Sequence, residues 1–252
     1  MVQTQELTKY LDELLNVDAF RDYAPNGLQV EGRASIGKLV CGVTASRALI
    51  EAAIEAQADA ILVHHGYFWK GEDPRLIGMK GERIRRLMQA DMNLLAYHLP
   101  LDGHAELGNN AQLASKLGFV VSGRFIDDAD SGIGMHGRLS NTMSGDDLAK
   151  HIAKVLEREP LYVAGNDRPI NSIAWCSGGA QGYIEQAVAL GVDAYLTGEV
   201  SEQTVHVARE CGIHFFAAGH HATERYGVQA LGAHLAKKFK LECQFIDIEN
   251  PA

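Results

Sequence analysis

Two stretches of this chain echo each other, and they limit its fold more than anything else in it. Leu49-Ile-Glu-Ala-Ala-Ile-Glu-Ala-Gln-Ala-Asp-Ala-Ile-Leu-Val-His-His matches Tyr183-Ile-Glu-Gln-Ala-Val-Ala-Leu-Gly-Val-Asp-Ala-Tyr-Leu-Thr-Gly-Glu, with Asp59 opposite Asp193, 134 positions on. In each, a helical apolar period gives way at the aspartate to a short apolar run, which reads as a helix followed by a buried parallel strand. The segments before them agree, Leu39-Val-Cys-Gly-Val-Thr falling opposite Ile173-Ala-Trp-Cys-Ser-Gly. A second echo runs at an offset of 122. It sets His98-x-x-x-Asp102 against His220-x-x-x-Glu224, Leu113-Ala-Ser-Lys-Leu against Leu235-Ala-Lys-Lys-Phe, and, after a small gap, Phe125-Ile-Asp against Phe245-Ile-Asp. The shortening between the two offsets corresponds to an aromatic loop, Gly66-Tyr-Phe-Trp-Lys-Gly-Glu-Asp-Pro, found only in the first copy. Any two βαβ units look somewhat alike, but the matched Glu-to-Asp-Ala spacing and the shared His-x-x-x-acid favour an internal duplication. The expected fold class is therefore α/β, with two similar lobes, each a mixed sheet flanked by helices. Two copies are too few for a solenoid.

Along the chain, residues 4–15 form an amphipathic helix with Leu7, Leu11, Leu14 and Leu15 on one face and Thr4 as its cap. Residues 22–32 are turn-rich through Pro25, Asn26 and Gly27. Strands are predicted at 38–43, 59–63, 92–97, 119–126 and 213–218, and helices at 48–58, 81–90, 107–117 and 222–239. Over 127–145 the composition shifts to Asp, Ser and Gly, which places the lobe boundary there. The first lobe, 1–126, then carries His64, His65 and Asp102, and the second, 127–252, carries His220 and Glu224. Ser144 caps a helix through Leu156, with Asp146 and Asp147 at its N-terminal end where the helix dipole favours acids.

The net charge of −9 argues against a nucleic-acid surface, which is usually basic. Small anionic substrates stay open, because a bound metal reverses the local sign. Four scattered cysteines without a Cys-x-x-Cys pair fit reduced thiols and disfavour a zinc ribbon or a disulfide framework. No signal peptide precedes the first helix, and no apolar run approaches the ~20 residues of a membrane span. A cytoplasmic protein is expected. Gly-x-Gly-x-x-Gly, Gly-Lys-Ser/Thr and Gly-x-Ser-x-Gly are absent, which disfavours nucleotide-fold dehydrogenases, P-loop NTPases and serine hydrolases of the elbow type.

The chemistry gathers at strand ends. The buried strand 59–63 stops abruptly at His64-His65-Gly66, and in open α/β sheets ligands sit in the crevice at such ends. Two imidazoles there are costly to bury unless something uses them, and a metal is the expected use. Asp102 follows the strand ending near Tyr97, and it either ligates or caps the next helix. His220 and Glu224 follow the strand ending at Ala218, four apart and on one face if the helix starts early. The five donors His64, His65, Asp102, His220 and Glu224 exceed one tetrahedral site and suit two ions, with Glu224 as the bridging carboxylate. His221 is either a ligand or an orienting neighbour at this stage. His98, His206 and His234 read as hydrogen-bonded structural residues. Glu199 is assigned to capping the helix from Ser201 and left out of the ligand set. Tyr67, Phe68 and Trp69 read as core or interface aromatics, with stacking against a planar substrate as the alternative.

Six motifs carry a resemblance. Asp22-Tyr-Ala-Pro-Asn-Gly-Leu-Gln-Val-Glu-Gly, Val63-His-His-Gly-Tyr-Phe-Trp-Lys-Gly, His98-Leu-Pro-Leu-Asp, Leu107-Gly-Asn-Asn-Ala-Gln-Leu-Ala, Thr197-Gly-Glu-Val-Ser-Glu-Gln-Thr and Ala218-Gly-His-His-Ala-Thr-Glu-Arg resemble the Nif-three-like family, whose members are also called GTP cyclohydrolase 1 type 2 homologues. The pattern is close to its bacterial YbgI-type members and covers essentially the whole chain. The resemblance implies a two-lobed α/β subunit, a toroidal homohexamer and a dinuclear metal site on the inner side of the ring. It selects His64, His65, Asp102, His220 and Glu224 as ligands and moves His221 out of the ligand set. The extra domain that many relatives carry between the halves does not fit in 127–145. The family name implies a metal-activated water opening the imidazole ring of a guanine nucleotide, with His98 or His221 as the proton-carrying group.

The leading expectation is thus a metal-dependent hydrolase, GTP cyclohydrolase-like, acting on a nucleotide or related heterocycle. The metal itself, iron, zinc, manganese or nickel, is not specified by His and carboxylate donors. Two rivals come from other classes: a metal-holding ring that binds partners or a nucleic-acid strand, as in DNA repair, and a metal-trafficking protein.

Overall fold

A computed structural model describes residues 1–125 and 132–252. The chain runs through strand β1 (Val2–Gln3), helix α1 (Thr4–Leu14), β2 (Gly27–Val30), β3 (Ser35–Ile36), β4 (Lys38–Thr44), α2 (Arg47–Glu55), β5 (Ala60–His65), α3 (Gly78–Gln89), β6 (Asn93–Ala96) and α4 (Leu99–Gly103). It continues through α5 (Asn109–Leu117), β7 (Phe119–Phe125), β8 (Gly134–Met143), α6 (Gly145–Leu156), β9 (Leu161–Val163), β10 (Ile170–Trp175), α7 (Ile184–Ala189), β11 (Ala194–Thr197), α8 (Glu202–Cys211), β12 (His214–Ala217), α9 (His220–Phe239) and β13 (Glu242–Phe245). Two compact units result, Met1–Gly108 with Gly227–Glu249, and Asn109–Tyr226 with Asn250–Ala252.

The first unit holds a five-stranded mixed sheet in the order β13-β4-β5-β6-β2. Its first four strands are parallel and β2 joins β6 antiparallel. Both faces are covered, which is why β5 is apolar at every position before its histidines. Ala60 and Leu62 face Leu7 and Leu11 of α1 with Val228, Leu231 and Leu235 of α9, while Ile61 and Val63 face Leu49, Ile50 and Ala53 of α2 with Ile84 and Leu87 of α3. The second unit holds a six-stranded mixed sheet, β7-β8-β10-β11-β12-β9, with β10, β11 and β12 parallel and the others antiparallel. Here Ile173, Trp175 and Leu196 pack with α5 and α6, and Ala174, Tyr195 and Phe215 pack with α7 and α8.

The duplication is visible at the level of hydrogen bonds. Leu39 pairs with Ala60 and Ile173 pairs with Ala194, so the strand register is conserved at the offset of 134. Asp59 Oδ2 accepts from the N–H groups of Gly37 (2.7 Å) and Lys38 (2.9 Å), and Asp193 Oδ2 accepts from those of Asn171 (3.0 Å) and Ser172 (2.9 Å). The same aspartate ties the same strand start in each copy.

Several local expectations change. Thr4 is the first residue of α1 and not its cap; its hydroxyl donates to the Arg33 carbonyl, and Gln3 occupies the cap position. The turn-rich segment 22–32 contains β2, an edge strand whose pairing to β6 is interrupted by a register shift. The Asp/Ser/Gly-rich segment contains β8, ten residues that pair with β7 on one side and β10 on the other. Such a strand is specified by backbone pairing on both edges rather than by an apolar run. The expected lobe boundary at 126 and 127 lies outside the described residues, and the units do not follow that cut. Leu113 and Leu117 of α5 pack on the core of the second unit, and β13 pairs with β4 in the first. Helix α5 and strand β7 of the first copy thus belong to the second unit, while β13 of the second copy and α9 from Gly227 onward belong to the first.

Candidate metal centre

In the first unit, β5 delivers His64, fully buried, and His65, half-buried. His64 Nδ1 donates to the Tyr97 carbonyl just beyond β6 (3.0 Å), and His65 Nδ1 meets Thr44 Oγ1 at the end of β4 (3.1 Å). His98, at the start of α4, donates from Nδ1 to Asp22 Oδ1 at 2.7 Å. Nitrogen atoms of these three histidines lie within 4.8 Å of one another, the arrangement of a site that could hold a metal ion. Asp102, in the same unit, is nearly buried inside α4, with Oδ1 3.6 Å from His64 Nε2. It does not cap a following helix, since α5 begins only at Asn109.

The turn between Asp22 and Asn26 holds His98 in place. Asp22 accepts from Asn26 Nδ2, from the Leu99 N–H and from His98, while Asn26 Oδ1 accepts from the His98 N–H at 2.7 Å. Burial pushes the Asp22 carboxyl up, but the hydrogen bond and charge of His98, with Asn26 and Leu99, outweigh it and bring it down to about 2. Trp69 forms a wall beside this cluster, its ring 5.0 Å from that of His98, edge to face, and 6.0 Å from that of His65. Tyr67 is instead a core residue, buried, with its hydroxyl donating to the Ala45 carbonyl. The aromatic triplet therefore divides: Tyr67 and Phe68 pack the core, and Trp69 faces the histidines. Gly66 permits this turn, because a Cβ there would lie 2.1 Å from Gln29 Oε1.

In the second unit, β12 ends at Ala217 and α9 begins at His220, so His220 and Glu224 share one helical face, with Nε2 and Oε2 3.2 Å apart. Glu199 is not the cap of α8; that role falls to Ser201, whose Oγ accepts from the Thr204 N–H. Glu199 Oε1 accepts instead from His220 Nδ1 at 2.7 Å, and Gln181 Nε2 donates to its other oxygen. Burial opposes a charged His220, yet the hydrogen bonds and charges of Glu224 and then Glu199 push its pKa up to about 9. Gly178, at φ +67°, leaves room for the carboxylate, since a Cβ there would lie 2.1 Å from Glu224 Oε1 and 3.1 Å from His220 Nε2.

All four histidines are therefore held through Nδ1, by a carbonyl, a hydroxyl and two carboxylates. Oriented in this way, a histidine presents Nε2 as its metal-binding atom. In the first unit His64, His65 and His98 form a group able to hold a metal, with Asp102 beside His64, and in the second His220 and Glu224 form a pair of donors. His221 is not among them; its N–H donates to the Ala252 carbonyl. His206 is exposed on α8, and His234 Nε2 is hydrogen-bonded to Tyr10. Sequence reasoning missed the holding roles of Asp22 and Glu199 and the clearance at Gly178. The repeat contained a signal for Glu199, which falls opposite His65.

A family model described as Duf34/NIF3 (NGG1p interacting factor 3) matches residues 2–251. The chain belongs to the Duf34/NIF3 family. It is 59% identical over 98% of its length to a protein of Pseudomonas aeruginosa named GTP cyclohydrolase 1 type 2 homolog, of which it covers 97%. A protein of the same name from Vibrio cholerae is 53% identical, with 98% of each chain covered. Among solved structures, protein ybgI, described as of unknown function, superposes with a TM-score of 0.96 at 50% identity over the whole of both chains. TTHA1606 from Thermus thermophilus does so at 0.90 and 33% identity, again over both whole chains. Among the described residues no helix is long and apolar enough to cross a membrane.

Proposed function

We propose that this NIF3 protein is a hydrolase using two divalent ions, with His64, His65, Asp102, His220 and Glu224 as ligands and a nucleotide or related planar heterocycle as substrate. The observation that carries the reading is the common Nδ1 anchoring of the histidines, which sets Nε2 as the ring atom each would offer to an ion. The donor set fits such ions: neutral imidazole and carboxylate together suit iron, zinc, manganese or nickel, and the bare backbone of Gly178 leaves the carboxylate its space. Bound ions would supply an acidified water and a clamp for an anionic oxygen.

The chain's own residues do the rest. Glu199 and the Tyr97 carbonyl keep His220 and His64 in the tautomer that presents Nε2. Trp69 offers a ring face of the right size for a purine or pteridine-like base. His98, held by Asp22, is the proton-carrying group beside it, in keeping with the cyclohydrolase name of the relatives. The protein is cytoplasmic and assembles as a homohexamer in this reading, as the family resemblance implies; light scattering should then give a hexamer of 27.4 kDa chains. The test is a turnover screen of guanine and other nucleotides, and their damaged forms, with each metal in turn. The reading expects hydrolysis of one class that is lost in His64→Ala. No turnover with any metal, or turnover unchanged in that variant, would count against it.

A further inference from the structure

Outside the histidine clusters, the first unit brings two thiols together, those of Cys41 and Cys243. Cys41 is buried in the middle of β4, and Cys243 is half-buried on β13, the edge strand of the same sheet. The parallel pairing sets Cys243 beside Leu39 and Phe245 beside Cys41, so the two cysteines are diagonal neighbours on one face. Their sulfurs lie 3.5 Å apart and share a hydrogen bond. Gly232 of α9 lies over both; a Cβ there would stand 2.6 Å from Cys41 Sγ and 2.9 Å from Cys243 Sγ. A glycine in a helix interior is a poorer helix former than alanine, and here it keeps space around the sulfur pair.

We propose that Cys41 and Cys243 form a peroxide-oxidised dithiol, with Cys243 as the reacting sulfur and Cys41 as the resolving one. Cys243 is the reachable partner, and the hydrogen bond from Cys41 lowers its pKa, while the same bond and burial raise that of Cys41. In the first step the Cys243 thiolate attacks one oxygen of hydrogen peroxide. The O–O bond breaks, and hydroxide leaves and takes up the thiol proton, giving a sulfenic acid and water. In the second, Cys41 Sγ attacks the sulfenic sulfur, and its proton leaves with the departing hydroxide as water. Two thiols and one peroxide thus give one disulfide and two waters. The sulfurs must close from 3.5 Å to about 2.05 Å, and β13, a four-residue edge strand paired only to β4, is the element free to move. The disulfide would tie that edge strand to β4, which ends at Thr44, the residue that holds His65.

The test is peroxide treatment of the reduced full chain, followed by alkylation and peptide mass mapping without reductant. The expected result is loss of two of the four thiols, a mass lower by about 2 Da, a Cys41–Cys243 cross-linked peptide, and full reversal by a phosphine reductant. Cys41→Ser should instead leave Cys243 carrying one or two oxygens, trappable by dimedone at the first stage. Cys211→Ser, at the exposed cysteine, should leave the cross-link unchanged. Oxygen addition to Cys243 in the unsubstituted chain without a cross-link, or retention of all four thiols, would overturn the proposal. Because the main readout uses the unsubstituted chain, it stands even if a variant fails to fold.

Discussion

Glu199 Oε1 accepts a hydrogen bond from His220 Nδ1 at 2.7 Å, and that bond decides which nitrogen of His220 faces Glu224. Removing the charge while keeping the shape should loosen the ring without altering the fold. Glu199→Gln is expected to weaken metal binding roughly 10–100-fold, the usual cost of losing such a partner. Calorimetric titration of the metal-free protein with one divalent ion would measure it, and the circular dichroism spectrum should not change.

Gly178→Ala places a methyl carbon against the Glu224 carboxylate at a backbone angle that side chains rarely adopt. The variant should lose about 1–3 kcal/mol of stability and most of its metal. Gly182→Ala is the control, since a Cβ there meets nothing within 4 Å. Urea unfolding of the two variants side by side separates local strain from a general effect of alanine.

The paired aspartates give a pH prediction. Burial raises Asp59, but the Gly37 and Lys38 N–H groups, with Arg33, more than offset it and hold its pKa below 3.8; Ser172, Asn171 and Arg168 do the same for Asp193. A folded pKa below the unfolded one means that the stabilisation is complete above 3.8 and is lost as pH falls through the folded values. Asp59→Asn should therefore cost about 1–3 kcal/mol at neutral pH, and the gap to the unsubstituted protein should close in strong acid. Urea midpoints measured from pH 7 downward would show the two curves converging.

Trp69 and Trp175 are the two tryptophans of the chain, and Trp175 is fully buried. Trp69, beside His98 and His65, is then the tryptophan expected to report a bound ligand. A planar heterocycle stacked on it should quench that emission, and Trp69→Ala should raise KM about tenfold with a smaller change in kcat, in line with the loss of ~1–1.5 kcal/mol of ring contact.

Much of this was legible in the sequence, for identifiable reasons. Strand β5 is buried on both faces, so its apolar run and its histidines stand out, and the repeat located the second sheet. Strand β8 was not legible, because Gly134-Met-His-Gly-Arg-Leu-Ser-Asn-Thr-Met is held by pairing on two edges and only its first half is buried. The two units were legible as a pair, but not the membership of α5 and β7 in the second and of β13 and the greater part of α9 in the first, which depends on where those elements pack. His220 and Glu224 announced themselves by spacing. Asp22 and Glu199 did not, since each acts on a histidine far away in sequence, and a carboxylate near a helix start reads first as a cap.

Metal content is what the proposed role of the anchored histidines rests on, and elemental analysis of the purified protein, alone and as His64→Ala and His220→Ala, measures it. Two divalent ions per chain are expected, with at least one lost in each variant. Fewer than one ion per chain, with no difference among the three proteins, would overturn the proposed metal centre.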